Sequence, residues 1–517
     1  MNIDSAQESF DLIVIGGGIM GASVARDAAG RGMRVALFER GDLASGTSSR
    51  TSKLVHGGLR YLEQGALGLV AESARERATW LRLAPHLVRP LPFLFPMYRG
   101  GPRPAWMVRL GMTMYDALAL FRNVESHRML DRDETAIREP GLLSPDLVGA
   151  ALFYDAQMDD ARLCVEVTLA AHDAGARVET YTKVDGLLVT DGRVSGIRVG
   201  GREVRGRVVV NASGPWLDRV CAMADGASSK IRMTRGSHVI LPPLLRRHAL
   251  VLSARRDGRM FFVLPWRGLT LIGTTDLDYR DDPEKVSCTA DERAYLLEET
   301  RRALPNADVT PDRIVAEFAG VRPLIRVEGV SASAVTRGDL IEESPTGLLS
   351  IAGGKFTTAR AVAARVVDRV AKRLRPARFS ASQTAATPLP GGRPTSTQER
   401  AEWRTHADAL KLDDEQFEAL SGVYGARVGA LLEVASERKL GGRLHPGVPW
   451  IQAQVDFAVE REWARTVEDV LRRRLPLALG PYRRDPLLIA AVADRMSVLL
   501  GWTTEERRGQ IDRYLAV

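Results

Sequence analysis

The chain has 517 residues, of which 45% are hydrophobic and 26% are charged. That length predicts roughly two to four domains and a core large enough to need no disulfide or metal. Lys and Arg (72) exceed Asp and Glu (64), giving a net charge of +8. This excess suits an anionic membrane surface, an anionic substrate, or simply a basic solvated surface. The longest basic run is Arg472–Arg474 and no aromatic residues interleave with it, so we expect no nucleic-acid binding.

The class of protein is narrowed further by the cysteines, the histidines and the N-terminal residues. Cys164, Cys221 and Cys288 are far apart, and the eight histidines show no metal-ligand spacing. We therefore expect no metal and a reducing compartment. The first ten residues are polar and acidic, unlike a signal peptide, and no apolar run approaches the ~18–20 residues of a membrane span. These features predict a cytoplasmic protein.

A dinucleotide-binding pattern opens the chain. The apolar run Asp11–Ile15 leads into Gly16, Gly18 and Gly21, a GxGxxG motif followed by a helical pattern and a second strand that ends at Glu39. The three glycines allow a tight turn, a close approach to a pyrophosphate and tight helix–strand packing, in that order. A carboxylate in the position of Glu39 accepts hydrogen bonds from a ribose.

The next segment, Gly41–Gly58, is rich in Gly, Ser and Thr and is predicted to be an extended loop. The hydroxyls of Thr47, Ser48, Ser49 and Ser52 suit flavin and pyrophosphate contacts, with local turn capping as the alternative. Further on, Arg89–Arg109 mixes prolines, aromatics and flanking arginines. This segment is predicted either to dip into a membrane surface and admit a quinone or to be an ordinary loop that covers the core.

The layout of the later strands separates FAD from NAD. Strand-like runs between Arg177 and Gly273 predict a β-rich portion, and a last buried strand, Gly347–Ala352, leads into Gly353, Gly354 and a helix. An NAD domain continues as consecutive βα units, whereas this nucleotide domain is interrupted and resumes late, which favours FAD. The N–H groups after Gly353 suit the negative charge that develops on a flavin ring.

These elements predict an α/β plus α protein with a Rossmann-like FAD-binding domain that is split in sequence. It is joined by a β-rich substrate or cap domain and a C-terminal helical domain. The predicted boundaries are FAD-binding parts at 1–75, 151–224 and 346–376, cap parts at 76–150 and 225–345, a Pro/Gly/Ser/Thr-rich linker at 377–398, and the helical domain at 399–517.

Several longer motifs carry a family resemblance. The string GTSSRTSKLVHGGLRYLEQG, Gly46–Gly65, is similar to the signature of FAD-dependent glycerol-3-phosphate dehydrogenases. Further matching motifs are MDDARL at Met158–Leu163, VVNASGPW at Val209–Trp216, IGTTD at Ile272–Asp276, GVRPL at Gly320–Leu324, IAGGKFTT at Ile351–Thr358 and a helical tail at Val455–Arg474. The resemblance covers the chain from Asp11 to about Arg474. Departures at Ile325–Val327, Gly338–Asp339 and Ala359 border the expected substrate site.

The resemblance implies oxidation of sn-glycerol 3-phosphate to dihydroxyacetone phosphate, with hydride transfer to N5 of FAD and electrons passed to a membrane quinone. It also implies a homodimer at the inner face of the cell membrane, bound peripherally to an anionic surface. Two alternatives stay open: a glycerol-phosphate oxidase that uses oxygen, and another amine or hydroxy-acid oxidase of the same superfamily.

Individual site residues follow from the motifs. His56 is expected to be the general base because of its intrinsic pKa, and Arg322 to stabilise the developing alkoxide. Arg60, Arg322, Arg337 and Lys355 are the expected phosphate cations, and Tyr61 and Thr275 are expected to bind substrate oxygens. The expected FAD contacts are Gly16, Gly18, Ile19, Met20, Gly21, Glu39, Arg40, Thr47, Ser48, Ser49, Ser52, Lys53, Leu54, Val184, Ala212, Gly214, Trp216, Gly353, Gly354, Lys355, Phe356 and Thr357.

Overall fold

The computed structural model of the chain describes residues 9–120, 123–142, 145–226, 229–327, 338–374 and 379–516. Its strands, in chain order, are β1 Ser9–Ile15, β2 Val35–Phe38, β3 Leu54–Val55, β4 Val88–Tyr98, β5 Arg128–Asp131, β6 Leu147–Met158, β7 Arg177–Glu179, β8 Gly186–Thr190, β9 Arg193–Val199, β10 Arg202–Asn211, β11 Ile231–Leu241, β12 Ala249–Ser253, β13 Met260–Trp266, β14 Leu269–Gly273, β15 Leu277–Asp278, β16 Ala316–Ile325, β17 Asp339–Glu343 and β18 Leu349–Gly353.

The α-helices, in the same order, are α1 Ile19–Gly30, α2 Leu59–Glu63, α3 Leu67–Leu83, α4 Ala105–Leu118, α5 Arg132–Arg138, α6 Asp160–Asp173, α7 Leu217–Asp225, α8 Ala290–Ala303, α9 Ala359–Leu374, α10 Thr397–Ala409, α11 Asp414–Tyr424, α12 Val428–Glu437, α13 Ala453–Arg461, α14 Pro486–Leu500 and α15 Thr504–Leu515. Residues Asp469–Arg474 form a π-helix. None of the described helices combines the length and apolarity that crossing a bilayer requires.

The first sheet is the dinucleotide-binding layer. Its strands lie in the order β17-β18-β10-β1-β2-β7, and the hairpin β8–β9 extends from β10. Strands β18, β10, β1, β2 and β7 run parallel. Parallel strands are buried on both faces, which is why β1 and β2 are continuous apolar runs. On one face, the small residues of α1 pack with the valines of α9.

The second sheet forms the β-rich domain. Its main path is β15-β11-β14-β13-β12-β4-β6-β3, with β16 paired to β11 and β5 paired to β6. The long pairing of β4 with β6 joins Phe93 to Phe153, whose rings stack with centroids 5.3 Å apart. Because β3 pairs with β6, the loop that leaves the first sheet enters the second sheet before reaching α2.

The strands show where the chain passes from one sheet to the other, and two of the predicted domain boundaries lie elsewhere. The boundary expected at residue 150 falls inside β6, which belongs to the second sheet through Met158. The one expected at 345 falls after β17, which already pairs with β18 in the first sheet. The segment Arg89–Arg109 was predicted either to dip into a membrane surface or to cover the core, and its first part lies in the largely buried strand β4, Val88–Tyr98.

The Pro/Gly-rich segment between the first sheet and the helical domain packs closely in its described part. The Leu389 amide donates to Leu83 O, and Gly391 N–H donates to the Glu166 carboxylate at 3.1 Å. A Cβ at Gly392 would lie 1.9 Å from Leu83 O, so only glycine fits there. In the described part of the predicted linker at 377–398, these glycines therefore serve close backbone packing.

Buried ion pairs join the helical domain to the first sheet. Asp42, after β2, accepts from Arg473 and from both guanidinium ends of Arg474. Glu462 holds Arg162 of α6 in a two-point contact, with distances of 2.6 and 3.1 Å. These ion pairs stabilise the junction of the two domains, because leaving one of the buried charges without its partner costs several kcal/mol of folding free energy.

Candidate functional site

A cavity of about 420 Å³ opens at the carboxyl ends of the parallel strands of the first sheet. Ile15 ends β1, Phe38 ends β2, Ala212 follows β10 and Gly353 ends β18, and all four line this cavity. Ligands of open α/β sheets bind in this position, where the strand ends meet helix N-termini. We call it the cofactor cavity.

Two of the motif glycines lie where the Cβ of any other residue would clash with neighbouring backbone atoms. Gly16 has φ of +111°, and a Cβ there would lie 2.6 Å from Ala212 O. A Cβ at Gly21 would lie 1.9 Å from Gly16 O, inside the packing of α1 against the turn. Gly21 therefore sits beneath the cavity and shapes it, while Gly16 and Gly18 line it.

The turn that holds a pyrophosphate in such folds is fixed by two side chains. The Ser48 hydroxyl accepts from Ile19 N–H at 3.0 Å, at the N-terminus of α1. The Glu39 carboxylate accepts from Gly17 N–H at 2.7 Å and from Gly41 N–H at 2.8 Å. Burial raises the pKa of Glu39, and the two amide donors act in the opposite direction.

Most of the predicted cofactor residues line this cavity. They are Gly16, Gly18, Ile19, Met20, Glu39, Arg40, Thr47, Ser48, Val184, Ala212, Gly214, Trp216, Gly353, Gly354, Lys355 and Phe356. Ser52, Leu54 and Thr357 line a neighbouring cavity instead. Ser49 and Lys53 line neither, because Lys53 turns inward to an ion pair with Asp160 at 2.7 Å.

The residues present fit FAD. The Trp216 indole N–H is buried at the cavity wall and makes no hydrogen bond with any described residue. The Arg40 guanidinium stacks on the Trp216 ring at 4.1 Å. At the other end, Gly353 and Gly354 have φ of +71° and +81°, and a Cβ at Gly354 would lie 2.4 Å from Met20 Cε. These features form a groove open to a long ligand with a flat ring.

A second cavity, of about 220 Å³, adjoins the first. The two share Thr47, Thr51, Pro323, Gly354, Lys355 and Phe356 as lining residues. Its far wall comes from the second sheet, through Phe93, Phe153, Phe262 and Gly320. A small molecule held here would lie beside whatever occupies the shared wall, so we call it the substrate cavity.

Arg322 is the most firmly held cation of the substrate cavity. Its guanidinium donates to Thr274 Oγ1 at 2.7 Å, and to Thr275 O and Asp276 Oδ1 at 3.2 Å each. Gly236 lies directly under it, since a Cβ there would be 2.0 Å from the guanidinium. The arginine is therefore fixed in one orientation at the cavity wall.

Three other predicted residues line the same cavity. The Lys355 ammonium lies 3.5 Å above the centre of the buried Tyr61 ring, a cation–π contact. The half-buried His56 faces the Phe262 ring, with ring centroids 6.1 Å apart, and its backbone N–H donates to Thr357 Oγ1 at 3.4 Å. The loop that carries His56 is thus tied to the segment that follows β18.

Two predicted phosphate cations lie beyond what the structure describes. Arg337 falls outside the described residues, and the backbone of Arg60 lies in α2 while its side chain is not described. Thr275 was expected to bind a substrate oxygen, but its hydroxyl donates to Glu292 at 2.6 Å and accepts from Ser237 N–H. Thr274 lines the cavity in its place.

His238 is the main site residue that sequence reasoning missed. It is buried in the cavity wall, stacks on Phe318 with centroids 4.7 Å apart, and shares a 2.8 Å hydrogen bond with Ser52 Oγ. Burial, together with the charges of Arg322 and Lys53, holds the pKa of His238 well below its usual value. Arg50 and Arg259 also line this cavity and were not predicted. The described residues contain no group of three His, Cys, Asp or Glu side chains suited to a metal.

Comparisons with known proteins agree with this geometry. The family profile described as FAD dependent oxidoreductase matches residues 11–369, and that of the C-terminal domain of alpha-glycerophosphate oxidase matches residues 382–507. A glycerol-3-phosphate dehydrogenase from Synechocystis sp. is 37% identical, covering 98% of this chain and 96% of its own. The chain belongs to the family of FAD-dependent glycerol-3-phosphate dehydrogenases.

Two further relatives support the assignment over nearly the whole chain. The aerobic glycerol-3-phosphate dehydrogenase of Staphylococcus haemolyticus is 35% identical, covering 97% of this chain and 92% of its own. The crystal structure of the glycerol-3-phosphate dehydrogenase from Bacillus halodurans complexed with FAD superposes with a TM-score of 0.79 and 30% identity, covering 99% of this chain and 95% of that one. FAD is the cofactor of this protein, and the predicted fold class is confirmed.

We expect Glu39→Gln to weaken FAD binding about fivefold to a hundredfold, because an amide leaves one of the two buried N–H groups without an acceptor. The change in affinity is measured as the dissociation constant of the complex between FAD and the apoprotein. Since the pKa of Glu39 is raised, FAD retention should also fall in mild acid, as the carboxylate becomes protonated. Glu433→Gln is the control, an exposed carboxylate on α12 that lines neither the cofactor cavity nor the substrate cavity. Equal binding by both variants would contradict the role of Glu39.

Proposed function

We propose that this protein oxidises sn-glycerol 3-phosphate to dihydroxyacetone phosphate. The observation that carries the proposal is the small cationic substrate cavity that adjoins the cofactor cavity, with Arg322, Lys355 and His56 on its walls. Its volume suits a three-carbon substrate, and its cations suit a phosphate. The names of the family members at 35–37% identity support the same substrate.

Bound FAD supplies the acceptor for the hydride lost from the secondary alcohol. The protein must then bind the phosphate, hold the hydroxyl and remove its proton. Lys355, with the predicted Arg60 and Arg337, is proposed to bind the phosphate. Arg322, fixed by Thr274 and Asp276, is proposed to stabilise the alkoxide that develops as the proton leaves. The aromatic wall of Phe93, Phe153 and Phe262 limits access of water.

His56 is proposed to accept the hydroxyl proton. An arginine is a poor base at its normal pKa, so Arg322 is not a good alternative. His238 is the real competitor, because it lines the same cavity and its lowered pKa keeps it neutral. Its Nε2, however, is already engaged by Ser52, whereas His56 lies on the loop beside the shared wall.

The substrate assignment is tested by flavin reduction with glycerol 3-phosphate against glycerol, lactate and amino acids. We expect rapid reduction by glycerol 3-phosphate alone. Lys355→Met should raise its KM roughly tenfold to a hundredfold, since a charged hydrogen bond to phosphate is worth about 1.5–3 kcal/mol. Lys372→Met, an exposed lysine on α9, should leave KM unchanged. Equal reduction by lactate or an amino acid would favour the alternative oxidase of the superfamily.

The His56 assignment predicts that His56→Asn retains FAD and slows flavin reduction about 10²-fold or more, the usual contribution of a general base. The pH profile of flavin reduction should also change in the variant, because the variant lacks the group that takes the proton. His238→Asn separates the two histidines: because the pKa of His238 is lowered, its protonation belongs to more acidic pH. Flavin reduction by His56→Asn at the wild-type rate and with the wild-type pH profile would overturn the assignment.

A membrane quinone is proposed as the electron acceptor. The support comes from α4, which follows the buried strand β4 and exposes Trp106, Met107, Leu110 and Met114 on one face. Trp106 is 65% exposed, and the neighbouring Leu120 is 64% exposed. Contiguous exposed apolar side chains mark interaction surfaces, and Arg99 and Arg109 beside them suit anionic lipid headgroups. Of the predicted segment Arg89–Arg109, the part from Ala105 onward lies on α4.

We expect Trp106→Asp combined with Leu110→Asp to abolish co-sedimentation with anionic vesicles and to reduce quinone reduction in vesicles at least about tenfold, because charged side chains resist insertion into lipid. Reduction of a soluble dye should be unaffected. Ile137→Asp is the control, an equally exposed apolar residue on α5. Unchanged vesicle binding would rule out α4 as the docking surface.

Oxygen remains the alternative acceptor, supported by the description of the matching C-terminal family. Peroxide formed in step with substrate oxidation, with no quinone reduction, would favour it.

The predicted homodimer is tested by light scattering, and the predicted location at the inner face of the cell membrane by fractionation of cells.

A further inference from the structure

A third, small cavity of about 30 Å³ lies behind the substrate cavity, and the proposed chemistry does not use it. Its polar lining comes from three segments: the loop with Ser49, Arg50 and Lys53, the start of α6 at Asp159–Arg162, and the π-helix end at Arg472–Pro476. Trp266, Phe318 and Leu479 complete the lining. It therefore lies where the cofactor-binding loop meets the C-terminal helical domain. We call it the junction cavity.

Three lining side chains of the junction cavity carry buried donors that no described group accepts. They are Ser49 Oγ, Arg162 Nε and Arg472 Nε. Both terminal nitrogens of Arg162 donate to Glu462, whereas its Nε has no acceptor among the described residues. Arg472 Nε lies 3.2 Å from a Glu468 oxygen, but the angle is not that of a hydrogen bond. Leaving such groups unsatisfied costs about 1–3 kcal/mol each.

The hydrogen-bond donors around the cavity favour an anion over a water molecule. Six lining residues are Arg or Lys and two are Asp, and carboxylates from outside the lining, Asp42, Glu462 and Glu468, pair with four of the arginines, Arg162, Arg472, Arg473 and Arg474. Asp160 already accepts from Thr51 and Lys53, and Asp159 pairs with Arg267 at 2.8 Å. A water molecule must donate its own protons, and here the walls present chiefly donors. Arg50, for which no carboxylate partner is described, adds a further cation.

The small size of the junction cavity favours a small anion. At about 30 Å³ it is much smaller than the cofactor cavity of about 420 Å³ or the substrate cavity of about 220 Å³. We propose that the junction cavity binds a chloride-sized monovalent anion between Ser49, Arg162 and Arg472. Because these residues come from the cofactor-binding loop, α6 and the π-helix, the bound anion connects the C-terminal helical domain to the cofactor-binding loop and stabilises their contact.

The test uses the FAD-loaded enzyme dialysed into sodium gluconate, whose anion is too large for the cavity. Sodium chloride then replaces gluconate at constant ionic strength. We expect the thermal midpoint to rise with the logarithm of the chloride concentration, by roughly 1–2 °C for each tenfold of chloride above half-saturation. Ser49→Ala, which removes one donor, should raise the half-saturating chloride concentration about tenfold. Arg461→Gln, an exposed arginine of α13, should behave as wild type.

Crystals soaked in bromide give the second measurement. An anomalous peak between Ser49, Arg162 and Arg472 would support the proposal, as would loss of that peak in Arg472→Gln. Should Arg472→Gln fail to fold, Ser49→Ala provides the same comparison. The proposal is overturned if the thermal midpoint depends only on ionic strength, or if the cavity holds density without anomalous signal, which would identify ordered water.

Discussion

The buried ion pair of Lys53 with Asp160 holds the loop on which both cavities depend. The Lys53 ammonium donates to Asp160 and to Ser49 O, and its backbone adopts φ of +59°, a conformation that L side chains rarely adopt. Asp160 also accepts from the Thr51 amide and hydroxyl. Burial raises the pKa of Asp160, and the Lys53 charge acts in the opposite direction. Because removing either partner leaves a buried charge, the pair keeps the loop in one conformation.

That fixed loop explains how one short segment serves two sites. Thr47 and Ser48 lie on the cofactor cavity, whereas Ser52, Leu54 and His56 lie on the substrate cavity. The chain changes sides where β3 pairs with β6 in the second sheet. Thr47 and Thr51 line both cavities, so the loop serves first the cofactor cavity and then the substrate cavity as it passes from one sheet to the other, and a shift in the loop would disturb cofactor and substrate together.

Features encoded within one continuous segment could be predicted from the sequence, whereas contacts between segments far apart in the chain could not. The turn at Gly16–Gly21 and the carboxylate of Glu39 follow from one continuous βαβ segment, and the sequence predicted them. Thr275 was misassigned because its partner, Glu292, arrives from α8. His238 was missed because its place depends on β16, which brings Phe318 against its ring, and on Ser52 from the distant loop. No motif within a single segment encodes such contacts.

The exposed helix α4 is also part of the substrate site. On its inner face, the buried Tyr115 hydroxyl donates to Asp155 at 2.7 Å and accepts from Gly57 N–H at 3.0 Å, next to His56. A Cβ at Gly57 would lie 2.3 Å from that hydroxyl, which requires glycine there. These contacts hold Tyr115 of α4 against the loop that carries His56. Docking through its outer face would therefore orient the site relative to the membrane without changing its geometry, because coupling by shape change requires an element with two states.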